Sequence, residues 1–187
     1  MKQDAFIQAE IFEIRFMSFK SNVFSIEKIK SLFQLVVCLG GFGKRSRRGM
    51  GGVKIINADM PTSLEGILQL IHQHSTHYNI SSDSIRNTYQ GRMQYYGWIK
   101  QIQIGKPKDQ SVFRIVSPIT HDLKQKYGMA YEPNLGHAFK GRFASPVYVS
   151  ALGDERIPII TTLNTVPDRG ERDLDIYIQD NFKSQIL

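Results

Sequence analysis

The sequence predicts an α+β protein built on an antiparallel sheet, and three observations carry that expectation. Amphipathic helical patterns and short alternating strands follow one another along the chain. Several strands come in hairpin-like pairs around turn-forming residues, Lys106-Pro107-Lys108-Asp109 and Gly153-Asp154. The 187 residues are 41% hydrophobic and 22% charged, enough for the core of one good-sized domain, and no repeat, low-complexity tract or linker divides residues 1–187.

The elements are read in order. Phe12, Ile14 and Phe16 alternate with Glu13, Arg15 and Met17, the period of a strand with one buried face. After a turn at Ser21-Asn22, Ser25 caps a helix with apolar positions Ile26, Ile29, Phe33, Val36 and Val37. Gly40 stands where a helix ends in a left-handed residue. A glycine-rich loop leads to a short strand, Val53 to Asn57. Leu64, Ile67, Leu68 and Ile71 mark a second helix, and Ser81 to Gly97 is irregular and polar. Trp98 to Ile104 alternates as a strand, with Val112 to Val116 as its antiparallel return. His121 to Tyr127 is a short helix and Tyr131 to Gly141 a loop. Phe143 to Ser150 and Ile157 to Leu163 are strands, and Asp168 with Glu171 caps a last helix striped by Leu174, Tyr177, Ile178 and Phe182.

The formal charge of +7 and sequence pI of about 9.5 favour a polyanionic partner, because lysine and arginine contacts to phosphate release counterions. One cysteine, Cys38, excludes an internal disulfide and any zinc site made of several cysteines, and fits a reducing cytoplasm. The longest apolar run, Leu35 to Leu39, is too short to span a bilayer, so no membrane partner is expected. No cofactor and no metal is expected either.

The segment Gly40 to Gly52 is the most informative: six of its thirteen residues are glycine and four are Lys or Arg. Glycines let successive amides form a nest for phosphate oxygens, while Lys44, Arg45, Arg47 and Arg48 supply charge. Other glycine loops fail on spacing. A Walker loop needs Ser or Thr where Arg45 stands and Gly where Cys38 stands. A dinucleotide loop needs Gly at Ser46 and a strand before the loop rather than a helix. The loop follows a helix C-terminus, whose dipole disfavours phosphate, so arginines and amides must outweigh it.

Gly41-Phe42-Gly43, five residues, then Gly49-Met50-Gly51 resembles the signature loop of the RAMP superfamily of CRISPR proteins. The fuller string from Gly40 to Val53 is most similar to the family of first subunits of the Cmr, type III-B, effector. Gly141-Arg142-Phe143-Ala144-Ser145-Pro146-Val147 is similar to a downstream Arg-x-Ala-Ser-Pro segment of that family. The two motifs touch about a tenth of the chain, and their order and spacing extend the match over most of it. The Thr-Pro/Gly-Gly and Arg-Gly-x-x-Arg-x-Trp segments usual upstream in the family have no counterpart before Ile11. The resemblance is therefore that of a C-terminal half, a split gene product or a shortened relative. The fold it implies is a ferredoxin-like (RRM-like) RAMP fold with helical insertions, either one domain over residues 1–187 or the C-terminal part of a two-unit protein; if its first strand and helix come from elsewhere, a partner completes the sheet.

The resemblance implies a non-catalytic subunit that assembles with other RAMP subunits on CRISPR RNA and target RNA. RNA would lie against Gly41, Gly43, Lys44, Arg45, Arg47, Arg48, Gly49 and Gly51. Arg142, with Ser145, would be a second contact or a lock on the first, and His137 and Lys140 lie beside it. Two alternatives belong to other classes. One is an endoribonuclease that processes CRISPR RNA, with His137 or His121 as general acid or base. The other is a module that contacts only other subunits.

Three further groups have two readings each. His72, His74 and His77 are metal ligands or a solvated helix end, and no carboxylate or thiol nearby completes a site. Tyr89, Arg92, Tyr95, Tyr96 and Trp98 are a base-stacking surface or core. Lys28 and Lys30 widen a basic surface or form the solvated face of their helix.

Overall fold

The computed structural model describes residues 11–17, 25–43, 46–89, 97–136, 144–152, 156–164 and 176–187. Five strands, β1 (Tyr78–Ser81), β2 (Ser84–Asn87), β3 (Ile99–Ile104), β4 (Val147–Leu152) and β5 (Ile157–Leu163), form one sheet in the order β1-β2-β3-β5-β4. Every neighbouring pair is antiparallel. The α+β class on an antiparallel sheet is thus the architecture observed.

Helices cover both faces. On one side lie α1 (Ile26–Leu39) and α2 (Leu64–His72), which bury Leu35, Leu39, Ile67 and Ile71 against Ile85, Ile102, Leu152 and Ile159. On the other lie α3 (Val112–Tyr127), a short 3-10 turn, α4 (Tyr131–Leu135) and α5 (Ile176–Ile186). They pack Val112, Val116, Leu135, Ile178 and Phe182 on Val147, Val149 and Ile160. The register Val149↔Ile160 and Ser150↔Ile159 explains how β4 and β5 serve two cores: successive residues face opposite layers, and both layers are apolar there. The edge hairpin β1–β2 needs only one apolar face, so Asn79, Ser81 and Arg86 remain exposed while Ile85 is fully buried.

Ser25 caps α1 as expected, accepting from the Lys28 amide at 3.2 Å, and Ser63 does the same for α2 through Gly66. The far end of α1 is closed by the sheet. Ser150 Oγ donates to the Cys38 carbonyl (2.7 Å) and Thr161 Oγ1 to the Leu39 carbonyl (3.2 Å), so hydroxyls of β4 and β5 satisfy the last turn. Gly40 has φ −138°, not the left-handed conformation expected, because these hydroxyls and its own amide bond to Val36 already close the helix.

Several expected elements differ. Residues 11–17 are exposed and outside regular structure: the alternation has no neighbouring strand among the described residues, and Phe16 instead packs edge-on against Phe33 of α1 (5.2 Å). Val53 to Asn57 is not a strand, and the polar stretch after Ser81 holds β2. Val112 to Val116 opens α3, because the buried pair Val112 and Val116 is spaced i,i+4, which an alternating and a helical pattern share. His121 to Tyr127 is the second half of that same helix, and Lys106 to Asp109 is its approach rather than a hairpin turn. Tyr131 to Leu135 is α4 rather than loop, and α5 faces its core with Ile178, Phe182 and Ile186 while Tyr177 is exposed. The turns at Ser21-Asn22 and Gly153-Asp154, the pair Asp168 and Glu171, Leu174, Arg92, Tyr95 and Tyr96 lie outside the described residues.

Cys38 sits in the α1–α2 core with 2% of its surface exposed, and burial pushes its thiol from 9.0 up to about 12. In the unfolded chain the thiol ionises near 9, so above that pH the unfolded state releases a proton that the native state keeps. The contribution of this group to stability therefore falls as pH rises from about 9 to about 12. A thiol-disulfide reagent at pH 8 is expected to label no cysteine in the native protein and one per chain in denaturant. Rapid native labelling would contradict the burial.

Candidate nucleic-acid interface

The basic loop leaves α1 at Gly40 and is closed at its neck. The Phe42 amide donates to the Gly51 carbonyl at 2.9 Å, and Gly51 takes φ +72°. A Cβ at Gly51 would lie 1.9 Å from the Phe42 carbonyl oxygen, and one at Gly41 would lie 2.7 Å from the Met50 carbonyl oxygen. The two strands of the neck therefore approach more closely than any side chain permits. Gly43 and Gly49 also have positive φ, +82° and +76°. Phe42 pins the outer side of the neck to Phe33 of α1, 5.9 Å between ring centroids.

Beyond the neck the returning limb docks on the edge of the sheet. The Gly49 amide donates to the Val149 carbonyl (2.8 Å) and the Val149 amide to the Arg47 carbonyl (3.2 Å), a single parallel bridge pairing Arg48 with Val149. The bridge decides what each arginine does, because adjacent residues of an extended segment face opposite sides of a sheet.

Arg48 follows Val149 into the layer of α3, α4 and α5. Its guanidinium donates to the Leu135 carbonyl, to Tyr131 OH (3.3 Å) and to Ser145 Oγ (3.4 Å), and lies 5.3 Å from the Phe182 ring centroid. Burial holds its pKa below the ordinary arginine value, and burial likewise raises that of Tyr131. Among the described residues no carboxylate pairs with it. The sequence groups Arg48 with the ligand-facing cations, whereas the structure spends its donors inward, so its place is that of an anchor. Ser145 in turn accepts from the Val147 amide and donates to its carbonyl. The two segments that carry the family resemblance thus meet through Arg48 and Ser145.

Arg47 goes the other way. Its guanidinium carbon stands 4.6 Å from the ring centroid of Tyr148, on the α1 side of β4, and both side chains are half-exposed. Tyr148 carries no signal in the sequence. Only its register beside the bridge brings it to Arg47. Lys44, Arg45, His137, Lys140 and Arg142 lie outside the described residues.

The electrostatic objection to a phosphate beside α1 is met locally. A Cβ at Gly49 would come within 3.4 Å of the Phe113 backbone, in the first turn of the 16-residue helix α3, so a helix N-terminus abuts the loop. That end of the dipole favours anions.

The remaining candidates stand apart. His74 Nε2 is 2.8 Å from Ser31 Oγ, His72 Nε2 is 2.8 Å from the Tyr78 carbonyl, and His77 lies against Tyr89 with ring centroids 5.0 Å apart. No group of three or more metal-ligating side chains comes together among the described residues. His121 is exposed on α3 and contacts Gln125 at 3.0 Å. Lys28 and Lys30 are on the exposed face of α1. Among the described residues no helix is long and apolar enough to cross a membrane.

Compared with known proteins, the chain gives no significant match to any family model, curated protein or solved structure.

Proposed function

We propose that this chain is an RNA-binding, non-catalytic subunit of a type III-B, Cmr-type CRISPR effector in the cytoplasm, a ferredoxin-like RAMP protein that holds guide or target RNA on the loop Gly40–Gly52. The observation that carries the reading is the loop's construction. Its neck is hydrogen-bonded and its return limb is bridged to β4. An inward Arg48 anchors it, while Arg47 stays at the surface. The described limbs of the loop, fixed in this way, present charge and backbone at a lower ordering cost on binding. The N-terminus of α3 adds a favourable field, and the chain's +7 charge supplies long-range attraction to a polyanion. Other RAMP subunits are the protein partners in this reading. The exposed apolar residues Ile11, Phe12 and Met17, in a segment that pairs with no strand among the described residues, suit such a contact.

The test is the affinity for single-stranded RNA across a salt series. Replacing Lys44, Arg45 and Arg47 together by alanine is expected to weaken binding and to flatten the log–log salt slope by about 2, at roughly 0.7 per lost phosphate contact. An unchanged slope would move RNA away from the loop. Absence of salt-dependent binding by the wild-type chain would favour a module that contacts only other subunits.

A further inference from the structure

Between the loop and the sheet there is an aromatic–cation pair that phosphate binding does not require. Tyr148 lies on β4 one residue before the bridge, and Arg47 lies on the loop one residue before its own bridging position. The two are therefore matched by register, and the guanidinium lies over the ring at 4.6 Å. Arg47 has no hydrogen bond or ion pair to a described side chain, in contrast to Arg48, whose donors are spent on three acceptors. The guanidinium is thus seated over Tyr148, and its N–H groups are uncommitted among the described residues. A guanidinium is planar and stacks on π faces on either side, which lysine cannot do.

We propose, building on the RNA-binding reading, that Tyr148 and Arg47 form a shelf on which an unpaired nucleobase stacks, so that the site takes single-stranded rather than duplex RNA. The base lies on the open face of the Arg47 guanidinium. The phosphate on its 5′ or 3′ side is within the compass of the loop, because Arg47 is itself part of the loop. Tyr148 is a positioning residue: it holds the guanidinium flat and contacts RNA only through it. A base in a duplex has both faces covered by its neighbours and cannot be received. Stacking is indifferent to base identity, so the shelf gives strand selectivity with little sequence preference.

The experiment measures binding of the full chain, at one fixed salt concentration, to a twelve-nucleotide oligoadenylate and to the same ribose-phosphate backbone carrying abasic positions. The wild-type protein is expected to bind the intact strand about five-fold or more tightly than the abasic one, the low end of what one stacked base contributes. Tyr148→Leu and Arg47→Lys are each expected to lose most of that ratio. Arg47→Lys keeps its charge and so retains the salt slope, and Tyr148→Phe, which keeps the ring, restores the ratio. Should Tyr148→Leu and Arg47→Lys both discriminate intact from abasic strands as the wild type does, the shelf is refuted while the RNA-binding loop stands. A wild-type ratio near one, with salt-dependent binding intact, would likewise refute the shelf and leave a phosphate-only site. Absence of salt-dependent binding by the wild type would instead overturn the RNA reading itself.

Discussion

Gly51→Ala is expected to open the neck of the basic loop and to lower stability by about 2–4 kcal/mol, and under the proposed RNA-binding function to lower RNA affinity in parallel. Two terms add. An alanine at φ +72° costs about 1–2 kcal/mol from the left-handed backbone alone. Its Cβ would also stand 1.9 Å from the Phe42 carbonyl oxygen, a backbone atom that cannot move aside without breaking the Phe42–Gly51 hydrogen bond, itself worth about 1 kcal/mol. At about 2–4 °C per kcal/mol for a chain of this size, the midpoint of thermal unfolding should drop by about 5–15 °C. The neighbouring substitution Gly52→Ala is the control. A Cβ there meets nothing within 4 Å and φ is not positive, so the expected change is close to zero. Equal behaviour of the two variants would mean that the neck is not closed in solution.

The second large effect is at Arg48. Truncation to alanine removes the donor from Tyr131 OH and the Leu135 carbonyl, leaves a gap beside Phe182, and detaches the return limb from the α3–α5 layer. A loss of about 2–4 kcal/mol is expected, read as a fall in the thermal midpoint. Arg48→Met separates packing from charge. It keeps an unbranched stem against Phe182 and removes a part-buried cation that has no carboxylate partner among the described residues, so it should recover part of the loss. If alanine at 48 left the midpoint unchanged while weakening RNA binding as much as alanine at 47 does, the guanidinium would be facing solvent and ligand instead.

These two sites show where sequence reading reached and where it stopped. The glycines of the loop, the Ser25 cap, α2, all of β5 and the run of α5 were legible, because each rests on local chemistry or on a period that only one element satisfies. The β1–β2 hairpin was hidden by its brevity and by a polar outer face, although Tyr78 and Ile85 hold its buried side. The start of α3 was hidden because Val112 and Val116 satisfy two periods at once. The opposite fates of Arg47 and Arg48 could not be read at all. The residues are adjacent and chemically alike, and only the pairing of Arg48 with Val149 decides which of them turns its guanidinium inward. Tyr148 entered the candidate site for the same reason, through register and not through any motif.

The bridge at Val149 has one more effect, on how the molecule behaves in a crowd. β4 is an edge strand, and an uncovered edge is a template on which a second chain can add its own strand and begin to aggregate. By occupying the Val149 amide and carbonyl, the loop blunts that edge with a short, strongly cationic segment. The opposite edge, β1, is only four residues long and presents Asn79 and Ser81 outward. If the loop is the RNA site proposed above, solubility and ligand binding are tied to one segment. Variants that release it should clump as well as bind poorly, and RNA that holds the loop in place should keep the protein dispersed.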